Sequence, residues 1–290
     1  MKVCGFTIVR NAIKYGYPVV ESIKSILPLC DKVIVAVGKS DDDTLTLIKS
    51  IDPQKIEIVE TVWDDSLRKG GKVLAAETNK ALDAIPIEYD WCIYVQADEV
   101  LHEQDYPAIK EAMLQYRDTS EVEGLLFKYL HFWGTFDYLG VTRNWYRNEI
   151  RIIKNNKEVR SYRDAQGFRK NDKKLQVKKI DATIYHYGWV RPPEIIKNKI
   201  SNFHSLYHEG ESLEEKLKAT EEFDYSEINA VKKFSGTHPK IMKTLISKLD
   251  WQVDIDPSKA RFGLKDRLLF AFEKIFNYRF FEYKNYTVIK

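Results

Sequence analysis

The residues best suited to chemistry stand at the ends of short apolar runs. Trp91-Cys92-Ile93-Tyr94-Val95 reads as a strand covered on both faces, and it breaks off in Gln96-Ala97-Asp98-Glu99. In an open α/β sheet, ligands bind at the carboxyl edge of the strands. Carboxylates placed there suit a hard divalent cation, and such a cation suits a diphosphate. The same two acids could equally cap a following helix. Two further polar clusters fall in phase with the first: Arg10-Asn11 closes the run at 2–9, and Gly38-Lys39-Ser40-Asp41-Asp42-Asp43-Thr44 closes the run at 33–37. If the three runs are neighbours in one sheet, their polar ends converge on a single crevice.

The elements that must position these clusters alternate. After the strand at 2–9 comes a helix with Val19, Ile23, Ile26 and Leu27 on one face. The turn after the second strand offers Asp42 or Asp43 as N-cap for a helix through Leu45, Leu47 and Ile48. Residues 55–62 alternate apolar and charged as an edge strand does. A loop at 64–69 and Gly70-Gly71 then lead to a helix from Lys72 to about residue 84, and so to the central strand. This is the pattern of a parallel, doubly wound sheet with right-handed crossovers. Beyond Glu99 it changes. Pro107 opens a helix with Ile109, Ala112, Met113 and Tyr116 on its apolar stripe. Residues 124–133, 144–153 and 175–187 read as strands of a mixed or antiparallel half that builds a second binding surface. Pro192-Pro193 starts a long helix with Ile196, Ile200, Phe203 and Tyr207 on its buried side. Helices at 241–249 and 265–276 precede a strand-like tail at 280–289.

With 44% hydrophobic and 31% charged residues in 290, the chain has ample material for a globular core. A net charge of +3 is too small to imply nucleic acid, though the basic density between residues 143 and 179 suits an anionic ligand. Cys4, Cys30 and Cys92 are scattered, two of them in apolar runs, which points to reduced thiols in a cytoplasmic protein. The opening run is cut short by Arg10 and Asn11, so it is no secretory leader, and no apolar run approaches a membrane span.

Taken in order, Ile8-Val9-Arg10-Asn11, Gly38 to Thr44 and Gln96-Ala97-Asp98-Glu99 resemble the nucleotide-sugar-binding half of family 2 glycosyltransferases. That resemblance implies a GT-A fold: a Rossmann-like mixed sheet flanked by helices over residues 1–190, with a helical C-terminal extension at 191–290. Residues 1–100 would hold the donor and 101–190 the acceptor. Carried over position by position, Val9, Arg10 and Asn11 would line the nucleoside pocket and Asp41 would approach the nucleoside. Lys72 would face the nucleotide or its phosphates. Asp98 matches the metal-binding acid of the family's Asp-x-Asp motif. Gln96 stands where the first Asp usually does, able to hydrogen-bond a ribose but bringing no charge. His186, between aromatics in Tyr185-His186-Tyr187-Gly188, matches the histidine that completes the metal shell, and Arg191 would contact the diphosphate.

The activity implied by the resemblance is transfer of a sugar from a UDP-sugar to a hydroxyl acceptor, carbohydrate or lipid-linked, assisted by Mn2+ or Mg2+ and with inversion. The attacking hydroxyl needs a carboxylate base. Asp137, Glu149 and Asp164 are the candidates, and Asp164 lies in the loop where the family places its acceptor-facing acid. Glu149 stands between Arg147 and Arg151 and reads more readily as a member of a surface ion pair. Of Phe132, Trp133, Phe136, Tyr138, Trp145 and Tyr146, one or two are expected to touch acceptor. Lys265, Arg267, Lys274 and Arg279 alternate with Leu268, Phe272, Phe276 and Phe280 in a basic amphipathic segment that reads first as a helix packed on the catalytic domain with its charges in solvent, and second as one that could lie on the inner face of a membrane. Two rivals stand beside the transferase. A catalytically inactive binding module of the same fold is favoured by Gln96. A nucleotidyltransferase would need a glycine-rich basic loop after the first strand, where Ala12-Ile13 stand instead.

Overall fold

The apolar runs at 2–9 and 33–37 become β1 (Val3–Val9) and β2 (Lys32–Gly38), the alternating stretch at 55–62 becomes β3 (Ile56–Thr61), and α1 (Val19–Ile26) and α2 (Thr44–Lys49) are the crossovers. The computed structural model describes residues 1–290 except 68, 209, 222, 229, 259–262, 277 and 290. Every residue of β1 is buried, as a strand sandwiched between helices must be, whereas β3 lies at the sheet edge and stays partly exposed. α3 (Lys72–Asp83) leads to β4 (Trp91–Tyr94), which inserts parallel beside β1. Val19, Ile23 and Ile26 of α1 are fully buried against this sheet, so the apolar spacing fixes which face of the helix turns inward.

Directly after the acidic end of β4 comes a short strand, β5 (Glu99–Leu101), and then α4 (Tyr106–Tyr116) with Pro107 in its first turn. The next strands are β6 (Gly124–Trp133), β7 (Tyr138–Gly140), β8 (Asn148–Lys154), β9 (Val159–Tyr162), β10 (Gly167–Lys170), β11 (Lys173–Lys174) and the long β12 (Gln176–Trp189). β8 runs antiparallel between β4 and β6, so the order reads β7-β6-β8-β4-β1-β2-β3, while β9, β10 and β11 form a separate three-stranded sheet. β12 pairs parallel with β6 and antiparallel with β5. Its register sets His186 opposite Glu99 on one side and His131 on the other. The architecture is the mixed α/β sheet flanked by helices that the sequence leads one to expect.

The last hundred residues carry α5 (Pro193–Ser205), α6 (Gly210–Glu221), β13 (Val231–Lys233), α7 (Lys243–Ser247), α8 (Leu264–Phe276) and β14 (Thr287–Val288). They are not purely helical, because β13 extends the sheet beyond β7 and β14 pairs with β12. The tail at 280–289 is a strand only at β14. The run at 144–153 enters its strand only at Asn148, the residues before it forming a loop. Phe203, expected on the buried side of its helix, is 43% exposed. Ile196 and Ile200 of that stripe pack in a core cluster, and all four of its residues also border a cavity. All three cysteines are free and buried. Among the described residues, no helix is long and apolar enough to cross a membrane.

Candidate functional site

Where β4 gives way to β5, two adjacent acids part company. Glu99 turns into the core, fully buried, and receives both Nε and a terminal nitrogen of Arg151 at 2.6 Å each, with Tyr129 donating its hydroxyl to the same carboxylate. It is therefore spoken for. Asp98 turns the other way, toward a cavity of about 520 Å³ whose lining includes Val9, Arg10, Asn11, Gln96, Asp98 and His186. Because β5 and β12 are paired here, Tyr187 donates its N–H to the Asp98 carbonyl at 2.8 Å, and His186 Nε2 comes to 3.6 Å from Asp98 Oδ1. A side chain on Gly188, two residues on and so on the same face, would collide with His186 Nε2 and stand 3.1 Å from Asp98 Oδ2. Glycine at that position keeps the pair accessible.

The tautomer of His186 follows from its neighbours. His131 Nε2 lies 2.9 Å from the Tyr146 carbonyl, which only accepts, so Nε2 carries the proton. Burial pushes both imidazoles below the ordinary histidine pKa, so each is neutral. His131 Nδ1 is then an acceptor for His186 Nδ1–H, 3.2 Å away. His186 Nε2 is left with its lone pair facing Asp98. Among the described residues no three His, Cys, Asp or Glu side chains cluster as a metal centre. A lone-pair nitrogen and a carboxylate oxygen 3.6 Å apart nevertheless fit a hard cation that completes its shell with waters and substrate phosphates. The donor set fits Mn2+ or Mg2+ in that partial sense.

Asp98 Oδ2 belongs to cations of the protein itself. Lys199, from α5, donates to it at 2.9 Å and to the Gly188 carbonyl at 2.8 Å, and Arg191 lies 3.7 Å from the same oxygen. Burial alone would raise the Asp98 pKa, but the opposing charges, Lys199 foremost, hold it well below the usual carboxylate range. Burial pushes Lys199 down to about 8, with Arg191 adding to the effect and Asp98 resisting it. Arg191 is itself buried. Its guanidinium donates to the carbonyls of Tyr15, Tyr187 and Gly188, and one terminal nitrogen has no hydrogen-bond partner.

Asn11 joins two of the three clusters. Its backbone sits at φ 55, a conformation asparagine tolerates, and its Oδ1 accepts the N–H of Asp41 at 2.8 Å. Arg10 reaches Asp65 at 3.3 Å and lies over the Trp63 ring, 5.6 Å from its centroid. Trp63 packs where any side chain on Gly38 would overlap its ring. Across the cavity, Tyr207 donates its hydroxyl to Asp164 Oδ2 at 2.9 Å. Trp145 and Tyr146 also line the cavity, while Phe132 and Phe136 pack into a core cluster with Tyr187.

The expected residues thus divide. Val9, Arg10, Asn11, Gln96, Asp98, His186 and Asp164 meet at one cavity. Asp41, Lys72, Arg191 and Glu149 lie outside its lining. Asp41 is exposed and pairs with Lys14 at 3.7 Å, and Lys72 is exposed at the start of α3. Arg191 supports Asp98 from behind. Glu149 is buried behind Gln166, whose amide donates to it at 3.3 Å, and burial pushes its carboxyl up to about 8. Asp137, the remaining acid considered, accepts from Thr135 at 3.5 Å in the turn after β6. Sequence reasoning missed Lys199, His131, Trp63 and Tyr207. The helical stripe that contains Ile196, Ile200, Phe203 and Tyr207 was the available signal, since Lys199 lies beside it.

No family model matches the chain, and no curated protein matches it in sequence. Among solved structures it is similar to S. aureus TarS, at 17% identity and TM-score 0.40 over 70% of this chain and 39% of that one. For S. aureus TarS 1-349 in complex with UDP the figures are 15% and 0.38, over 76% of this chain and 70% of that one. Glucosyl-3-phosphoglycerate synthase from Mycobacterium tuberculosis, in complex with Mn2+, UDP and phosphoglyceric acid, matches at 18% and 0.29 over 44% and 42%. At these identities and scores the likeness decides neither donor nor acceptor.

Proposed function

We propose that the protein transfers a sugar from a nucleotide-sugar donor, UDP-linked by its family resemblance, to a hydroxyl acceptor. The observation that carries this reading is the meeting of Asp98, His186 and Lys199 at the head of a cavity whose wall is the polar end of β1. Breaking a sugar–phosphate bond leaves a diphosphate whose growing charge must be met by cations. Lys199 supplies one such charge directly, and the buried Arg191 adds to the field. Asp98 and His186 would hold a Mn2+ or Mg2+ ion, which supplies Lewis-acid neutralisation of the leaving group when bound. Val9, Arg10, Asn11 and Trp63 take the nucleoside. Asp164 takes the proton of the acceptor hydroxyl, its other oxygen steadied by Tyr207. Glu149, protonated and screened by Gln166, is not suited to that role.

A second reading is favoured by one residue. Gln96 is neutral where the family carries an acid, which suits a binding module that has lost turnover. Incubating the protein with a panel of UDP-sugars and Mn2+, and following free UDP, separates the two. The transferase releases UDP, and Asp98→Ala abolishes release while circular dichroism stays unchanged. Binding of UDP without turnover on any donor would favour the inactive module, and unaltered release by Asp98→Ala would remove Asp98 from the site.

A further inference from the structure

We infer that the C-terminal segment from α8 to residue 284 is a docking surface for an anionic lipid membrane. α8 leaves Leu268 and Ile275 each 74% exposed and Phe276 61% exposed, and the turn beyond it leaves Phe281 90% exposed. These side chains pack mainly on one another: Phe272 stacks on Phe276 with centroids 4.3 Å apart and lies 4.7 Å from Phe280. None of them joins the four clusters that make up the core. Leu268, Phe272, Ile275 and Phe276 recur at helical spacing, so they form one stripe, and Lys265 starts it. Phe281 sits at φ 57, a backbone conformation costly for a bulky side chain, and it is the most exposed large apolar residue of the chain's described part.

The charges decide the occupant. Among the described side chains of 264–289, both glutamates turn inward. Glu273 pairs with Arg279 at 2.8 Å and with Arg143 at 3.2 Å, and Glu282 pairs with Arg147 at 2.8 Å. Among the described side chains there, the exposed charges Lys265, Arg267 and Lys284 are positive. In sequence the segment 264–289 carries five basic residues, Lys265, Arg267, Lys274, Arg279 and Lys284, against the three acids Asp266, Glu273 and Glu282, and an apolar stripe with such a basic excess is complementary to an anionic bilayer. A second copy of this chain would bring the same sign of charge to the contact. The segment is also tied to the cavity wall, since Arg279 donates to the Trp145 carbonyl at 2.8 Å and Arg143 to the Phe280 carbonyl. Docking would therefore bring that wall to the lipid surface, where a lipid-linked hydroxyl lies.

The test uses the whole 290-residue chain and lipid vesicles, with no sugar present, so it stands apart from the transferase assay. Sedimentation with vesicles containing phosphatidylglycerol should recover the protein, recovery should fall with added salt, and phosphatidylcholine vesicles should recover little. Lys265→Glu with Arg267→Glu should weaken partitioning about thirtyfold or more. Phe276→Ser with Phe281→Ser should abolish it. The charge-reversed pair lies on exposed positions, so it remains informative if the phenylalanine pair misfolds. Equal recovery on both vesicle types, recovery indifferent to the charge reversal, or absence of binding would overturn the membrane reading. So would a dimer in solution that Phe281→Ser dissolves, which would make a second copy the occupant.

Discussion

His131 faces the cavity, yet its sharper effect is exerted through its neighbour. Its proton goes to the Tyr146 carbonyl, and that choice propagates through His186 to leave Nε2 bare opposite Asp98. A side chain of this kind usually counts for ten- to a hundredfold in metal affinity, roughly, when removed. His131→Leu should therefore weaken Mn2+ binding in the presence of UDP by about that factor, followed by the free-ion paramagnetic resonance signal. His131→Gln keeps an acceptor for His186 and should recover most of it. Equal affinity in wild type and His131→Leu would show that the tautomer is fixed by something else. Lys199 makes the complementary point. The residue is an ordinary surface lysine in the sequence, because its carboxylate partner is 101 positions away.

At the scale of elements, β12 carries most of the design. One strand supplies His186 toward the cavity, the Tyr187 N–H toward the backbone of Asp98, and Gly188 where no side chain fits. Gly188→Ala should push His186 off its position. Displacement of a reacting group by about 1 Å costs about a hundredfold in rate, so UDP release should fall by that order while the melting temperature moves only slightly. Wild-type turnover in Gly188→Ala would mean that the close packing there is immaterial. Elements of this importance differed in how plainly the sequence declared them. β1, β2 and β4 were readable because burial on both faces demands nearly unbroken apolar runs, and β6 was readable although an exposed Lys128 interrupts its run. β5 was not, since it opens on a glutamate whose burial depends on Arg151, 52 residues away. The stripe on α5 was visible, but helical spacing cannot say whether the face it marks meets a core or a cavity. So Ile196 is buried while Phe203 looks into open space beside Tyr207.

For the molecule as a whole, shared structure crosses the boundary expected near residue 190. The segment beyond it supplies Lys199 and the cavity roof, adds β13 and β14 to the sheet, and buries Ile196 and Met242 completely. Residues 1–190 alone should lack cooperative unfolding and should not bind UDP, tested by circular dichroism melting and calorimetric titration. A sharp melt with bound UDP would show the first part to be self-sufficient. Residue, strand and whole molecule meet at 98 and 99, where neighbouring acids at the mouth of a three-residue strand point opposite ways, one toward the cavity and the other into Arg151. Sliding that strand by a single step would exchange them, stranding a lone carboxylate inside the protein and presenting a glutamate at its mouth. The penalty for mispairing is thus levied twice, once on folding and once on chemistry. Tolerance at the two positions should accordingly differ in kind: loss of one silences an intact protein, and loss of the other dismantles it.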